Sequence, residues 1–163
     1  MSSKHLFTNA EGLVVKYLKG LISWNPSLNL IEADKVVFDT RHSSSNVSII
    51  AGGGAGHEPA WAGYVGENML AASASGDIFA SPSARQVEAA IRSVPSEAGT
   101  ILVIGNYTGD CLHFGMACEK AKASGYLKGP IAVISCGDDV SVGKKGNGLV
   151  GRRGLQGQLL GTR

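Results

Sequence analysis

The sequence predicts an α/β fold in which a largely parallel sheet carries helices on both faces. Three short apolar runs, at residues 47–51, 100–104 and 131–135, have the composition of buried strands. Segments with the apolar spacing of helices alternate with these runs, and this alternation is typical of a parallel sheet. Because ligands bind beyond the carboxyl ends of the strands in such sheets, we expect the functional site at that edge.

The chain before the first buried strand predicts a helix and a short strand. Apolar residues recur at helical spacing over residues 13–22, which predicts a helix. Thr8-Asn9 is placed to cap this helix, with Glu11 in its first turn. Asn25-Pro26 is expected to end it. The remaining segments are read in order as a loop at 26–34, a short strand at 35–39 and a polar link at 40–46.

The strand at 47–51 runs into the stretch Gly52-Gly53-Gly54-Ala55-Gly56-His57-Glu58-Pro59. Its four glycines permit positive φ and a close approach to a ligand, and the proline is suited to the start of a helix. We read the stretch as a ligand-binding loop after a strand, the alternative being a turn without a ligand. The next segments are predicted as a helix at 60–69, an extended segment or strand at 70–75 and a helix opened by Ser81-Pro82-Ser83.

The strand at 100–104 stops at Gly105-Asn106-Tyr107-Thr108-Gly109-Asp110. A helix is predicted from Leu112 onward, with Gly125 as its C-terminal stop. The third strand, at 131–135, ends in Cys136-Gly137-Asp138-Asp139, and the remaining residues read as loop.

Titratable residues follow these strands, so the predicted sheet gathers them at one edge: His57, Glu58, Asp77, Asp110, Asp138 and Asp139. We select His57 and Asp110 as the reacting pair, because a histidine moves protons near neutral pH and a carboxylate can orient it or act as the base. The alternatives are a structural histidine and a helix N-cap. Glu58 has a second interpretation as a cap or brace of its own loop. Asp77, Asp138 and Asp139 could bind a metal ion or a sugar hydroxyl, but turn formation is the better interpretation of each. Surface or structural roles are expected for His5, His42 and His113.

The sequence supports neither a nucleotide site nor a metal site of its own. Residues 146–151 match G-x-G-x-x-G, but no predicted strand precedes them and no acidic residue follows about twenty residues later. A G-x-x-x-x-G-K-[ST] phosphate loop is absent from the sequence. The three cysteines lack C-x-x-C spacing, so neither a zinc site nor a disulfide framework is expected.

Charge is distributed unevenly along the chain. Residues 1–140 contain ten Lys and Arg against thirteen Asp and Glu, a net charge of −3, whereas residues 141–163 contain five basic residues and no acid. The basic segment is consistent with phosphate or nucleic-acid contact, and equally with a solvated loop. The sequence contains no signal-peptide core and no apolar run of membrane-spanning length, so we expect a cytoplasmic protein without a membrane partner.

Six blocks of this sequence resemble the N-terminal, ketone-binding domain of the dihydroxyacetone kinase family, and most of all its fungal, single-chain, ATP-using members. The blocks lie in the family's order and cover nearly the whole chain, at residues 52–59, 62–66, 76–83, 106–110, 137–140 and 151–155.

The resemblance implies a kinase that phosphorylates dihydroxyacetone, and often glyceraldehyde, at a primary hydroxyl. It implies substrate contacts at Gly54, Ala55, Gly56 and His57, with Asp110 as base and His57 assisting. ATP and magnesium bind a separate later domain in the family, so this chain alone is expected to bind neither. A homodimer is compatible with the resemblance.

Three departures from the family pattern affect these expectations. Ala55 replaces the usual serine, and Gly105, at a substrate-binding position, stands where many members have a lysine, so one polar contact is missing. The histidine that holds the ketone covalently and the ATP domain would lie beyond Arg163. Residues 1–163 are therefore expected to be a partial ketone-binding domain, inactive alone. The alternatives are a non-catalytic binder of a small ketone or sugar and, less favoured, a phosphate or nucleic-acid module built on 141–163.

Overall fold

The computed structural model describes residue 7 and residues 9–137, which form one mixed sheet with helices packed against it. The strands are β1 (Leu28–Ile31), β2 (Val36–Asp39), β3 (Ser48–Ala55), β4 (Ala72–Ile78), β5 (Thr100–Gly105) and β6 (Ile131–Cys136). The helices are α1 (Leu13–Trp24), α2 (Ala84–Ser93) and α3 (Thr108–Ser124), and 3-10 turns occur at Glu32–Asp34 and Ala62–Tyr64.

The strand order is β1-β2-β4-β3-β5-β6. The pairs β4-β3, β3-β5 and β5-β6 are parallel, whereas β1-β2 and β2-β4 are antiparallel. A short connection cannot return a strand in the parallel direction, so the single turn between β1 and β2 makes that pair a hairpin. The predicted α/β fold is confirmed, with a mixed sheet whose parallel part contains β3, β4, β5 and β6.

Alternate residues of the strands face two separate cores. Val36, Ile50 and Leu102 pack in one core with α2 and α3, around the fully buried ring of Phe114. The residue after each of these, Val37, Ala51 and Val103, packs in the other core with α1 and the segment around Trp61. Helices therefore cover both faces of the sheet, as the alternation of apolar segments predicted.

The predictions for residues 26–34 and 60–69 are wrong. The first segment contains β1, which is stabilised by backbone hydrogen bonds to β2. A strand of four residues is too short to give a clear pattern in the sequence. The second contains a single 3-10 turn. Asn68 has φ of 61° there, and Leu70 N–H donates to the carbonyl oxygen of Tyr64 at 3.0 Å, so the chain turns back and forms no α-helix.

The first three glycines of the 52–59 stretch belong to β3 and do not form a loop after it, which corrects the sequence-based interpretation. Gly53 faces the Trp61 indole, so its lack of a side chain lets that ring pack on the strand. Gly52 faces the opposite core, where an added Cβ would come 2.9 Å from Phe114 Cζ and also close to the Ala74 carbonyl oxygen. These glycines provide close packing on both sides of a central strand.

The helix boundaries agree with prediction at some ends and differ at others. Ser83 caps α2 in a capping box with Gln86, and Gly125, with φ of 70°, follows the last residue of α3, as expected. The predicted cap of α1 is wrong: Gly12 is the N-cap and has no side chain, Glu11 precedes the helix, and Thr8 lies outside the described residues. Helix α3 begins at Thr108, four residues before the predicted start.

Candidate functional site

Three loops meet at the carboxyl ends of the parallel strands. Residues 56–59 follow β3, residues 79–83 follow β4, and the first turn of α3 follows β5. Because β3 lies between β4 and β5, the parallel register brings these three connections to one edge of the sheet. This edge contains His57 and Asp110, and it is the edge that the sequence predicted.

The loop after β4 lies directly on the end of β3. A Cβ atom added to Gly54 would come within 2.8 Å of Ala80 N and 3.0 Å of the Phe79 carbonyl carbon. Phe79 N–H donates a 2.8 Å hydrogen bond to the Ala55 carbonyl oxygen. Gly54 is therefore required for the two backbones to approach, and the loop after β4 forms one wall of the site.

The loop after β3 turns sharply at Gly56, whose φ is 102°. The two carboxylate oxygens of Glu58 each accept from Gly56 N–H at 3.1 Å. Glu58 thus caps the turn, which agrees with the second of the two interpretations given for it. The turn leaves His57 exposed at the mouth of the site.

Asp110 is a buried carboxylate, with 4% of its surface exposed. Burial raises its pKa above the ordinary value, and the Ser81 hydroxyl and the charges of His113 and His57 oppose this shift only in part. Its Oδ1 atom has no hydrogen-bond partner among the described residues. A carboxylate of this kind is more basic than an exposed one and has an oxygen free to accept a proton. The N-cap interpretation is wrong, since Tyr107 is the N-cap and Asp110 lies within the first turn.

His113 and Ser81 belong to the same cluster, although the sequence indicated only a surface or structural role for His113 and a place at the start of a helix for Ser81. The Nδ1 atom of His113 lies 2.7 Å from the Pro82 carbonyl oxygen. The Ser81 hydroxyl packs on Gly109, where an added Cβ would come within 2.7 Å of Ser81 Oγ. A signal for His113 was present, because residues three apart on a helix share a face and His113 follows Asp110 by three.

The remaining candidate residues lie elsewhere or have no side chain at the site. Asp77 pairs with Lys35, at the start of β2. Gly105 ends β5, is buried, and accepts at its carbonyl oxygen from Tyr107 N–H at 2.8 Å. The candidates outside the described residues are His5, Asp138, Asp139, the glycine motif at 146–151 and the basic segment at 141–163.

The described part of the chain contains no cluster of side chains built to hold a metal ion. Within residue 7 and residues 9–137, no three His, Cys, Asp or Glu side chains come together in an arrangement suited to a metal ion. Over the same residues, none of the helices is both long enough and apolar enough to cross a membrane.

A cavity of about 590 Å³ at the opposite end of β3 is a poorer candidate for the site. Its charged residues already pair with each other: Arg41 Nη2 donates to Asp39 Oδ2 at 3.1 Å, and Arg41 Nη1 donates to Glu67 Oε2 at 3.3 Å. His42 Nε2 lies 2.8 Å from Ser48 Oγ, whose hydroxyl donates to the Val94 carbonyl oxygen. These groups already pair with one another, whereas Asp110 has a buried oxygen without a partner.

Comparison with known proteins finds a match to the Dak1 domain family over residues 19–163. The chain is 48% identical to a dihydroxyacetone kinase of Pichia angusta over 160 residues, covering 98% of this chain and 26% of that protein. It is 42% identical to the triokinase/FMN cyclase of Rattus norvegicus, covering 98% of this chain and 28% of that protein. The chain therefore spans about a quarter of the length of the curated relatives it matches.

Solved structures show the same fold. A dihydroxyacetone kinase of C. freundii, in complex with AMP-PNP and Mg²⁺, matches with a TM-score of 0.85 and 38% identity over 98% of this chain and 29% of that one. The dihydroxyacetone kinase operon co-activator Dha-DhaQ matches with a TM-score of 0.79 and 34% identity over 89% of this chain and 43% of that one.

Proposed function

The chain belongs to the Dak1 domain family, and on that premise we propose that it forms part of the ketone-binding site of a dihydroxyacetone kinase. The reaction transfers a phosphoryl group from ATP to a primary hydroxyl of dihydroxyacetone, and of glyceraldehyde as a second substrate. One observation carries the proposal: a buried carboxylate, Asp110, has a raised pKa and lies near His57 at the edge of the sheet where ligands bind in α/β proteins.

The proposed substrate contacts are Gly54, Ala55, Gly56, His57, Gly105 and Asp110. The Ala55 side chain is buried in the core beneath α1, so this residue contributes only backbone groups. Gly105 likewise offers only its backbone. The Gly56 N–H is already donated to Glu58, so we propose that the oxygens of the three-carbon ketone bind mainly to the side chains of His57 and Asp110.

The proposed chemistry needs one proton transfer from this chain. Asp110 accepts the proton of the substrate hydroxyl while that oxygen forms its bond to phosphorus and the bond from phosphorus to the leaving phosphate oxygen breaks. His57 binds the same hydroxyl and orients it toward the carboxylate. The raised pKa of Asp110 supports its role, because a more basic carboxylate takes the proton more readily.

We propose that the phosphoryl donor binds a separate later domain, as the resemblance to the family implies; consistent with this, the described residues contain no cluster of three metal-ligating side chains. When bound there, ATP with magnesium supplies the phosphoryl group. A homodimer and the partial-domain boundaries 1–163 remain predictions of the resemblance, and a cytoplasmic location remains a prediction from the sequence.

A second candidate function is a ketone-binding protein without catalysis. The likeness to the co-activator Dha-DhaQ favours it, because that protein shares the fold at 34% identity. Both functions predict ketone binding at the same edge, and they differ only in turnover.

Replacing the matching segment of the Pichia angusta kinase with this chain gives a protein in which turnover can be measured. We expect ATP-dependent phosphorylation of dihydroxyacetone, and a fall in kcat of at least about 100-fold in both His57→Ala and Asp110→Ala, with both variants still folded. Asp77→Ala is the matched control. Asp77 pairs with Lys35, so its substitution should leave kcat unchanged. A near-normal kcat in either site variant contradicts the assigned roles. Ketone binding without turnover supports the second candidate function.

A further inference from the structure

Phe79 has an unusual position for an aromatic residue. Its φ is 54°, in the left-handed region where a Cβ atom is unfavourable and glycine is not. Its surface is 72% exposed, so burial of the ring provides little compensation. A strained, exposed aromatic residue beside a candidate site indicates a function for the ring.

Phe79 contacts the loop that carries His57 and the strand end that leads to it. The Phe79 and His57 rings meet edge to face, with centroids 5.2 Å apart and an angle of 69° between their planes. The Phe79 Cε1 atom lies 2.9 Å from the place that a Cβ of Gly56 would occupy. The backbone N–H of Phe79 donates to the carbonyl oxygen of Ala55, at the end of β3.

The His57 imidazole has few other contacts that could fix its orientation. Within the described part of the chain its imidazole makes no side-chain hydrogen bond, and its ring contact is with Phe79. The imidazole also interacts electrostatically with Asp110, but a charge interaction alone does not fix the rotation of an exposed ring. An edge-to-face contact restricts that rotation, because the edge of one ring is attracted to the face of the other.

We propose that Phe79 is a positioning residue, whose ring holds the His57 imidazole in the orientation that serves Asp110 and the substrate hydroxyl. The inference about catalysis rests on the proposed function, whereas the inference about ring orientation rests on the contacts alone. The competing explanation is a purely structural one, in which Phe79 lines an apolar cavity of about 530 Å³ beside α1 together with Ile78, Val14 and Tyr17.

Nuclear magnetic resonance of the His57 ring in the ligand-free 163-residue chain tests the orientation directly, with the signals assigned by comparison with His57→Gln. In Phe79→Leu, which keeps an apolar side chain, the His57 ring protons should lose their ring-current shift and move toward the positions of a free imidazole. Phe79→Tyr keeps the ring and should restore the wild-type positions. Unchanged His57 signals in Phe79→Leu would overturn the proposal.

Stability separates the functional role from a structural one. Phe79→Gly should melt at the same or a higher temperature than the wild type, because glycine relieves the positive φ, yet it should lose the same His57 shift. Asn68→Gly is the matched control, since Asn68 also has a positive φ, of 61°, and lines the cavity at the other end of β3. It should leave the His57 signals in place. A large loss of stability in Phe79→Gly without a change at His57 would support the structural explanation and contradict ours.

Turnover in the chimeric kinase completes the test. We expect kcat to fall on the order of tenfold in Phe79→Leu and Phe79→Gly, with KM changed much less and with wild-type kcat in Phe79→Tyr. A fall confined to KM contradicts a positioning role. If the unsubstituted chimera neither binds the ketone nor turns over, the proposed function fails, and the ring signals of His57 still decide whether Phe79 holds the imidazole.

Discussion

His113 and Pro82 form a 2.7 Å hydrogen bond that joins the helix carrying Asp110 to the loop carrying Ser81. A carbonyl oxygen only accepts, so Nδ1 of His113 carries the proton and donates it. This hydrogen bond keeps a proton on Nδ1, and Nε2 is directed away from Pro82. Two walls of the candidate site therefore depend on one another through a single side chain.

The first prediction concerns this hydrogen bond. His113→Ala should lower the free energy of unfolding by about 1 kcal/mol and weaken dihydroxyacetone binding, because the loop after β4 loses its attachment to α3. His113→Asn should retain most of both, since the asparagine amide nitrogen can donate from nearly the same place. Denaturant unfolding and calorimetric titration measure the two effects. An asparagine variant as weak as the alanine variant would show that ring packing, and not the hydrogen bond, is what matters.

The second prediction concerns the pH dependence contributed by Asp110. Burial raises its pKa, so between the ordinary and the raised value the folded protein binds more protons than the unfolded chain, and stability falls as pH rises through that window. Asp110→Asn has no carboxyl group to titrate at this position, so it does not lose stability over this pH window. The variant should be more stable than the wild type at neutral pH, and the difference should vanish below about pH 4. Denaturation curves at pH 3 to 8 test this, and a less stable variant at neutral pH contradicts it.

The third prediction has the opposite sign and concerns Asp39. Burial alone would raise its pKa, but hydrogen bonds and charge from Arg41, with a contribution from His42, outweigh burial and lower it. The ionised Asp39 carboxylate therefore stabilises the folded protein at neutral pH, and this contribution is lost as pH falls through the lowered pKa. Asp39→Asn should therefore be less stable than the wild type at neutral pH, with the gap closing in acid. The same denaturation series measures it, and a gap that is constant with pH would show that charge plays no part.

The fourth prediction concerns Gly54. Gly54→Ala should weaken ketone binding and destabilise the fold by about 1–3 kcal/mol, because the new methyl group meets the backbone of Phe79 and Ala80. Gly115→Ala is the matched control. Gly115 lies within α3 with no atom within 4 Å of an added Cβ, so alanine should raise stability by about 0.5–1 kcal/mol. Thermal melting and calorimetric titration of both variants measure their stability and their ketone binding. Normal binding by Gly54→Ala would contradict the expected clash with Phe79 and Ala80.

The sequence was sufficient to predict that His57 and Asp110 lie at one edge of the sheet. Each follows an apolar run, and the carboxyl ends of parallel strands meet regardless of how the intervening loops fold. The same reasoning placed Asp77 at that edge, but it could not show that Lys35 would pair with the aspartate. That pairing depends on β2 lying antiparallel to β4, where Val36 is opposite Ala74, a contact between residues far apart in the sequence.

Other features could not be predicted because tertiary packing overrides local preference. Glycine is unfavourable inside a strand, yet β3 continues through Gly52, Gly53 and Gly54 because neighbouring groups occupy the space that side chains would need. Residues 60–69 have a composition compatible with helix, and the backbone turns back instead at Asn68. Phe79 was unremarkable in the sequence, and only its backbone conformation and its contact with His57 identify it.

The directions in which the β3 glycines face have an evolutionary consequence. An added Cβ at Gly53 would meet the side chain of Trp61. A larger residue can therefore replace Gly53 if a smaller one replaces Trp61. We expect these two positions to vary together among relatives. Gly54 faces main-chain atoms of Phe79 and Ala80, and no substitution makes a backbone smaller. Position 54 therefore has no compensating partner, and it should remain glycine in relatives whose remaining site residues have diverged.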